Sequence, residues 1–291
     1  MVDFLGIGVQ KGGTTWLYEN LDSHPDLWLP FLKEVHFLDR RFIGAAAASP
    51  PRKRREFETL PLVRKVRRRI RDLRAGKIAG EFDEKAEISY LKRLIDRDFF
   101  MTDEWYDFLF SPAPEGRKTG EITPYYCAIG EKGIRWLKER FPAARLIYLI
   151  RDPTDRALSC LRMMSQRSDF DLSDPDEQKT IVKRCLKSKS FYRRGDFRSH
   201  IPLWDRLFGE QVLYLPFGRI RSDPEGVFRQ IESFLGIGRF NGYPVLGERV
   251  HATRQSRPIA DEIRQRFAEL NRLQYAFLEE RFPPDFVANL R

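Results

Sequence analysis

Residues 4–18, FLGIGVQKGGTTWLY, contain an apolar run that passes directly into a lysine, two glycines and two threonines. The apolar residues suit a buried strand of a parallel sheet, and the glycines let the backbone turn with its N–H groups facing inward. A helical pattern follows, and a helix N-terminus presents free amide donors and the positive end of the peptide dipole. This strand, loop and helix predict a cradle for a phosphate or sulfate group.

The order of residues in the loop differs from the Walker A motif, which places its lysine after the second glycine and immediately before serine or threonine. Here Lys11 precedes Gly12 and Gly13. An ammonium at this position can meet the outermost anionic group of a nucleotide, while the hydroxyls of Thr14 and Thr15 and the loop amides hold the group behind it. The string alone is equally typical of an ordinary turn, and its place between a strand and a helix favours the anion site.

A second informative segment, RLIYLIRDPTDRALSCLRMM, covers residues 145–164. A buried strand ends at Arg151, a proline permits a helix to start, and Ser159 follows the arginine by about two helical turns. We expect the guanidinium and the hydroxyl to converge on one anion, because a guanidinium offers fork-like donors that match phosphate oxygens. The alternative is an ion pair of Arg151 with Asp152 or Asp155 at the end of the strand.

The chain of 291 residues is 42% hydrophobic, which is enough for a sizeable core, and we predict one α/β domain over residues 1–291. Strands are predicted at 4–9, 118–122, 145–150 and 212–216. Helices are predicted at 14–23, 62–75, 131–140, 154–167, 198–208, 224–235 and 258–281, the last with its apolar residues in the core. This alternation predicts a central parallel sheet flanked by helices, with the loops after residues 9 and 150 on the same rim.

The two anion-binding segments resemble those of the sulfotransferases that use 3′-phosphoadenosine-5′-phosphosulfate (PAPS). Further strings follow in the order found in that family, namely HPDLWLPFLKEVHFLD, EWYDFLF, GEITPYY and DPEGVFRQIESFLGI. Within the family, the chain is most similar to the heparan-sulfate-type enzymes and their bacterial relatives. The resemblance implies a P-loop-like nucleotide-binding core, PAPS as co-substrate and adenosine 3′,5′-bisphosphate (PAP) as product. No metal is expected, because lysine, amides and arginine supply the positive charge.

The resemblance also implies which residues contact the nucleotide. The loop would hold the 5′-phosphosulfate, the arginine and serine of the second segment would hold the 3′-phosphate, and a basic residue near the C-terminus would close over the nucleotide. These residues are Lys11, Gly12, Gly13, Thr14, Thr15, Trp16, Arg151, Ser159 and Arg254.

The string KEVHFLD carries the predicted catalytic residues. Sulfuryl transfer needs a base that faces a cationic clamp, and the resemblance identifies Glu34 as the base. Lys11 is expected to stabilise charge on the sulfuryl group and the leaving phosphate, and His36 to orient Glu34 or the acceptor. Lys33 either neighbours the sulfate or is an exposed charge, and the exposed position is the expectation.

The string GEITPYY departs from the resemblance at one position. The family often has lysine where this chain has Ile122, so one cation near the acceptor is missing. Glu121 is a second carboxylate that is a candidate for the base or for an acceptor contact. The departure therefore concerns the acceptor more than the donor.

The net charge of +10 is concentrated in Arg52–Arg74, which holds 11 basic and 3 acidic residues. Apolar residues recur there at helical spacing, so we predict an inserted basic loop and an amphipathic helix within residues 43–75. The segment is either a solvated cover of the core or a weak contact for an anionic surface. The expected acceptor is a small molecule or a saccharide, and nucleic acid is not an expected partner because no RNA-binding aromatic motif is present.

Three cysteines and four histidines show no disulfide framework or metal-ligand spacing. No signal sequence or long apolar stretch is present, so we expect a cytoplasmic protein without an integral membrane segment. Two other functions stay open. A nucleotide kinase of the P-loop type shares the strand, loop and helix, and a non-enzymatic polyanion-binding protein would rely on the basic segment.

Overall fold

The computed structural model describes residues 2–44, 53–168, 171, 174–248 and 259–291. Its centre is a five-stranded sheet with the order β2-β3-β1-β4-β5, in which all neighbours are parallel. The strands are β1 (Phe4–Gly8), β2 (Leu27–Trp28), β3 (Lys118–Ile122), β4 (Arg145–Ile150) and β5 (Val212–Pro216). The four predicted strands are confirmed. The edge strand β2 was not predicted, because two residues are too few to give a periodic pattern.

Helices surround the sheet. Within the described ranges they are α1 (Thr14–Asp22), α2 (Phe37–Phe42), α3 (Arg54–Glu58), α4 (Pro61–Arg74), α5 (Glu84–Leu94), α6 (Asp103–Phe108), α7 (Gly130–Arg140), α8 (Pro153–Arg167), α9 (Pro175–Lys187), α10 (Lys189–Arg193), α11 (Phe197–Phe208), α12 (Arg219–Ser222), α13 (Pro224–Leu235), α14 (Asp261–Leu270), α15 (Arg272–Arg281) and α16 (Pro284–Ala288). Six of the seven predicted helices agree with observed helices to within one residue at each end.

The seventh prediction, one continuous helix at 258–281 with its apolar residues in the core, was wrong about the continuity and about some of the buried residues. The chain leaves the helix at Asn271, between α14 and α15, so the apolar spacing does not define one continuous face. Phe267 and Leu278 are buried as expected, whereas Leu270 and Leu273 are 46% and 54% exposed.

The core lies on both faces of the sheet, as the predicted architecture requires. Along β4, Leu146 and Tyr148 belong to one apolar cluster, while Ile147 and Leu149 belong to the cluster on the opposite face. This alternation follows from the two-residue period of a strand. Both faces are covered by helices, so the strand is apolar along its length.

The basic segment is described from residue 53 onward, and its helix is α4. Its buried residues are Leu62, Val63, Val66, Ile70 and Leu73, which belong to the larger core cluster. The predicted amphipathic helix is therefore confirmed, with arginines on its exposed face. The predicted loop at 45–52, including Arg52, lies outside the described residues.

The strands β1 and β4 are neighbours in the sheet, with Gly6 opposite Ile147. The amide of Val9 donates to the carbonyl of Leu149 at 2.9 Å, which continues the pairing past the end of β1. Because parallel strands end on the same side, the loop after β1 and the residues after β4 lie on one rim of the sheet, as predicted.

Candidate active site

The loop between β1 and α1 is a tight turn that ends in free amides. The Gly12 amide donates to the Val9 carbonyl at 2.9 Å, and Gly13 caps α1 with a φ of 93°. A Cβ on Gly13 would lie 2.6 Å from the Cδ1 of Ile220, so both conformation and space require glycine. The first helical bond runs from Leu17 to Gly13 at 3.0 Å, and the amides that precede it are available to an anion.

Lys11 lies in this loop with a φ of 69°, in the left-handed region that L-residues rarely adopt. Its side chain is half-buried. Burial lowers the pKa of Lys11, and the charge of Arg151 lowers it further, although Cys160 and Glu34 act in the opposite direction. A strained backbone and a desolvated ammonium together are typical of a functional position.

Arg151 joins the two predicted anion-binding segments. Its Nη1 donates to the backbone carbonyl of Lys11 at 2.8 Å, and its guanidinium lies 4.4 Å from the centre of the Phe217 ring. Its Nε is buried without a hydrogen-bond partner among the described residues. The alternative ion pair with Asp152 or Asp155 is not found in the described part of the chain, where Asp152 pairs with Arg291 at 3.0 Å and Asp155 with Arg264 at 2.8 Å.

Ser159 lies in the second turn of α8 and is buried. The next residue, Cys160, directs its thiol to the Oε1 of Gln10 at 3.8 Å, so this turn of α8 packs beside the β1–α1 loop. Arg151 and the turn of α8 that carries Ser159 thus both lie beside the β1–α1 loop. Arg254 lies outside the described residues.

Trp16 does not turn its side chain toward the loop. Its ring packs against Phe228 at a centroid distance of 4.9 Å, and its indole N–H donates to the carbonyl of Leu246 at 3.1 Å. The side chain therefore belongs to the core. Trp16 can offer a nucleotide only its backbone amide, which lies in the first turn of α1.

The acidic side of the site is the segment that carries Glu34 and His36. Both residues have left-handed backbones, with φ of 60° and 59°. The Glu34 amide donates to the carbonyl of Ile122 at 3.2 Å, and the Phe37 amide donates to the hydroxyl of Tyr126 at 3.0 Å. These bonds attach the segment to the end of β3, which is the neighbour of β1, so the predicted base lies on the same rim as the loop.

His36 lies between two carboxylates. Its Nε2 is 3.5 Å from Glu34 Oε2, and its Nδ1 is 3.0 Å from Asp39 Oδ2. Burial by itself would lower the pKa of His36, but the two carboxylates outweigh burial and raise it to about 9. His36 is therefore an imidazolium at neutral pH. Asp39 was not identified from the sequence, although its position one helical turn after His36 was a usable signal.

Glu34 is ionised at neutral pH. Burial would raise its pKa, but the hydrogen bond and charge of His36 and the charges of Lys33 and Lys65 lower it below its usual value. The side chain of Glu34 is 40% exposed, so a solute can reach it. The group has the protonation state that a proton acceptor requires.

Lys33 contacts the loop, contrary to the expectation that it is an exposed charge. Its Nζ donates to the Oγ1 of Thr15, and its side chain is half-buried. Burial lowers the pKa of Lys33, and the charges of Lys65 and Lys11 lower it further, against the raising effect of Glu34. Lys65 of α4 donates to the carbonyl of Lys33 at 3.4 Å.

Glu121 is not available to an acceptor. The residue is 1% exposed, and its carboxylate accepts hydrogen bonds from Tyr106 at 2.9 Å, Thr123 at 2.6 Å and Tyr126 at 2.6 Å. Burial raises the pKa of Glu121, and the three hydrogen bonds, which lower the pKa, only partly offset this effect. Since Tyr126 also holds the Phe37 amide, Glu121 supports the segment that carries Glu34 rather than acting as a base. Ile122 is fully buried against Gly6.

Comparison with known proteins shows which family the chain belongs to. A family profile described as "Sulfotransferase family" matches residues 4–241. The chain belongs to the sulfotransferase family. This membership confirms the resemblance found in the sequence, and both anion-binding segments of this sulfotransferase lie within the matched range.

Among curated relatives, this sulfotransferase is 31% identical over 239 residues to mouse heparan sulfate glucosamine 3-O-sulfotransferase 3A1. It is 29% identical over 236 residues to its human counterpart. The mouse alignment covers 80% of this chain but 45% of the relative, so the chain spans less than half the length of that protein.

Solved structures share the fold. A sulfotransferase from Alicyclobacillus acidocaldarius superimposes with a TM-score of 0.62 at 20% identity, covering 98% of both chains. The sulfotransferase domain of the Synechococcus olefin synthase gives a TM-score of 0.58 at 18% identity, covering 97% of this chain and 95% of that one. The predicted α/β sulfotransferase fold is confirmed. In the described part of this sulfotransferase, no helix is both long and apolar enough to span a bilayer.

Proposed function

We propose that this protein transfers the sulfuryl group of PAPS to a hydroxyl or amine of an acceptor and releases PAP. The observation that carries the proposal is the 2.8 Å hydrogen bond from Arg151 Nη1 to the carbonyl of Lys11. This bond joins two segments that are 140 residues apart in the sequence, and each segment offers donors to an anion. A nucleotide with separate 5′ and 3′ anionic groups matches such a pair of adjoining sites.

The donor-binding residues divide between the two groups of the nucleotide. The free amides at the start of α1, with Thr14 and Thr15, are suited to the 5′-phosphosulfate. Arg151 and Ser159 are suited to the 3′-phosphate. The buried Arg151 Nε, which has no partner among the described residues, is the kind of donor that a phosphate oxygen satisfies.

The transfer step places Glu34 and Lys11 in complementary roles. The acceptor oxygen or nitrogen forms a bond to sulfur as the bond from sulfur to the 5′-phosphate oxygen breaks. The acceptor proton passes to the Glu34 carboxylate, and the electron pair of the broken bond stays on the phosphate oxygen. Lys11 stabilises this developing charge, which in comparable sites contributes about 3 to 4 kcal/mol.

His36 and Asp39 prepare Glu34 for this step. The imidazolium of His36 fixes one Glu34 oxygen at 3.5 Å and keeps the carboxylate ionised, and Asp39 fixes the imidazolium at 3.0 Å. A group held in this way loses less freedom when the acceptor arrives. We assign His36 and Asp39 positioning roles, with Glu34 as the group that accepts the proton.

For the acceptor we propose a saccharide hydroxyl. The support is the alignment with a relative named for O-sulfation of heparan sulfate glucosamine, at 31% identity over 80% of this chain. The exposed arginines of α4 also fit an acidic saccharide, because Lys65 of that helix reaches the carbonyl of Lys33 beside the base. The weak contact of this segment with anionic surfaces stays a prediction, as does a cytoplasmic location.

Calorimetry tests the proposal against the kinase alternative. We expect PAP to bind in the presence of EDTA with at least about 100-fold higher affinity than ATP with magnesium, since the two phosphate sites match PAP. Equal affinities, or a preference for ATP with magnesium, would overturn the proposal. A polyanion-binding protein without a nucleotide site would bind neither nucleotide.

A further inference from the structure

We propose that Lys33 is a second catalytic cation, which neutralises the charge that develops on the leaving 5′-phosphate oxygen. The inference rests on the proposed function and adds a residue to it. Its observation is the contact of Lys33 Nζ with Thr15 Oγ1, at the first turn of α1. The sequence places Lys33 next to the base, and only the fold places its ammonium at the first turn of α1.

The ammonium of Lys33 reaches the loop from a different chain segment than Lys11. Lys11 belongs to the loop itself, while Lys33 extends from the segment attached to β3. Arg151 Nη1 donates to the Lys11 carbonyl at 2.8 Å. The charges of these groups also act on one another, since Lys11 lowers the pKa of Lys33 and Arg151 lowers the pKa of Lys11. Three cations thus surround one small region.

In the part of the chain that the structure describes, these three cations, Lys33, Lys11 and Arg151, lack a direct carboxylate partner. Glu34 is the acidic residue whose charge acts on both lysines. Half-buried like charges at short range are unfavourable without an anion between them. A phosphosulfate group supplies that anion.

Lys33 also supplies a cation that the end of β3 does not. Residue 122, at which the family that the chain resembles often has lysine, is an isoleucine with no exposed surface, packed against Gly6. It cannot contribute charge to the site. The segment hydrogen-bonded to that same residue, through the Glu34 amide and the Ile122 carbonyl at 3.2 Å, carries Lys33 instead.

The proposed role fixes the moment at which Lys33 acts. In PAPS the bridging oxygen is bonded to sulfur and carries little charge, whereas in PAP the same oxygen belongs to a free phosphate. As the bond from sulfur to that oxygen breaks, the electron pair localises beside the Lys33 ammonium. Lys33 therefore stabilises the transition state and product more than the substrate, which is the condition for catalysis.

The experiment compares two variants, Lys33→Met and Lys33→Arg, with the unmodified protein. Lys85→Met, at an exposed lysine of α5, is the control. The kcat for transfer from radiolabelled PAPS is measured with heparan sulfate as the acceptor probe. Calorimetry measures PAP and PAPS affinities without any acceptor. Thermal unfolding midpoints show whether each variant folds. If Lys33→Met does not fold, Lys33→Arg, which keeps the positive charge, is compared with the unmodified protein instead.

We expect Lys33→Met to lower kcat by about 100-fold, as does loss of one preorganised donor in comparable sites. PAP affinity should fall by about tenfold and PAPS affinity by much less, because the charge resides on the leaving oxygen. Lys33→Arg should keep most of the kcat and most of the PAP affinity of the unmodified protein. An unchanged kcat, or equal weakening of PAP and PAPS, would overturn the role of Lys33. Failure of the unmodified protein to bind PAP would instead overturn the proposed function.

Discussion

The nucleotide side and the acidic side of this site are built in different ways. The nucleotide side uses backbone amides at the start of α1 and one arginine after β4, at the ends of adjacent parallel strands. The acidic side uses side chains from a short segment in which Glu34 and His36 both have left-handed backbones. That segment depends on hydrogen bonds to β3 and to the buried Glu121 network.

The difference separates donor binding from chemistry. Backbone donors are fixed by the fold, so they tolerate changes elsewhere in the site, whereas the acidic side requires several side chains in register. Substitutions on the acidic side should therefore change the rate of transfer with little effect on nucleotide affinity, apart from substitutions of Lys33, whose ammonium reaches the nucleotide side. Substitutions on the nucleotide side should change affinity.

The largest effect is expected for Glu34→Gln. Loss of the proton acceptor should lower kcat by about 10³-fold, while the PAP affinity measured by calorimetry should change little, because Gln keeps the shape of the side chain. The matched control is Glu139→Gln on the exposed face of α7, which should behave as the unmodified protein. Full activity of Glu34→Gln would remove Glu34 from its role.

An intermediate effect is expected for Arg151→Ala. Removing the guanidinium should weaken PAP binding by about 30-fold, since hydrogen bonds to a charged phosphate contribute about 1.5 to 3 kcal/mol. Calorimetry with PAP measures the change, and Arg117→Ala, at an exposed position, is the control. Nucleotide affinity equal to that of the unmodified protein would show that Arg151 only holds the Lys11 carbonyl.

The smallest effect is expected for Asp39→Asn. The raised pKa of His36 contributes stability that is fully present below pH 6.5 and is lost as the pH rises to about 9. Removing one carboxylate should lower the pKa of His36, so this loss should be complete at a lower pH. NMR titration of the imidazole and urea unfolding at several pH values measure both changes. An unshifted His36 pKa would contradict the assigned contact.

Much of the fold could be predicted because its signals are local. The apolar runs of β1, β4 and β5 and the spacing of α4 and α8 identified strands and helices almost to the residue. The exceptions have physical reasons. The strand β2 is too short for a pattern, and the break at Asn271 changes which residues of 258–281 are buried.

The sequence by itself determined that two anion-binding segments exist, because glycine turns, strand ends and helix starts are written in consecutive residues. Only the tertiary structure decided which side chains meet there. Lys33 contacts Thr15, Asp39 holds His36, Glu121 is buried beneath the base, and Trp16 points into the core. Except for the contact of Asp39 with His36, three residues away in the chain, each of these depends on packing between segments that are separated along the chain, which local residue patterns do not encode.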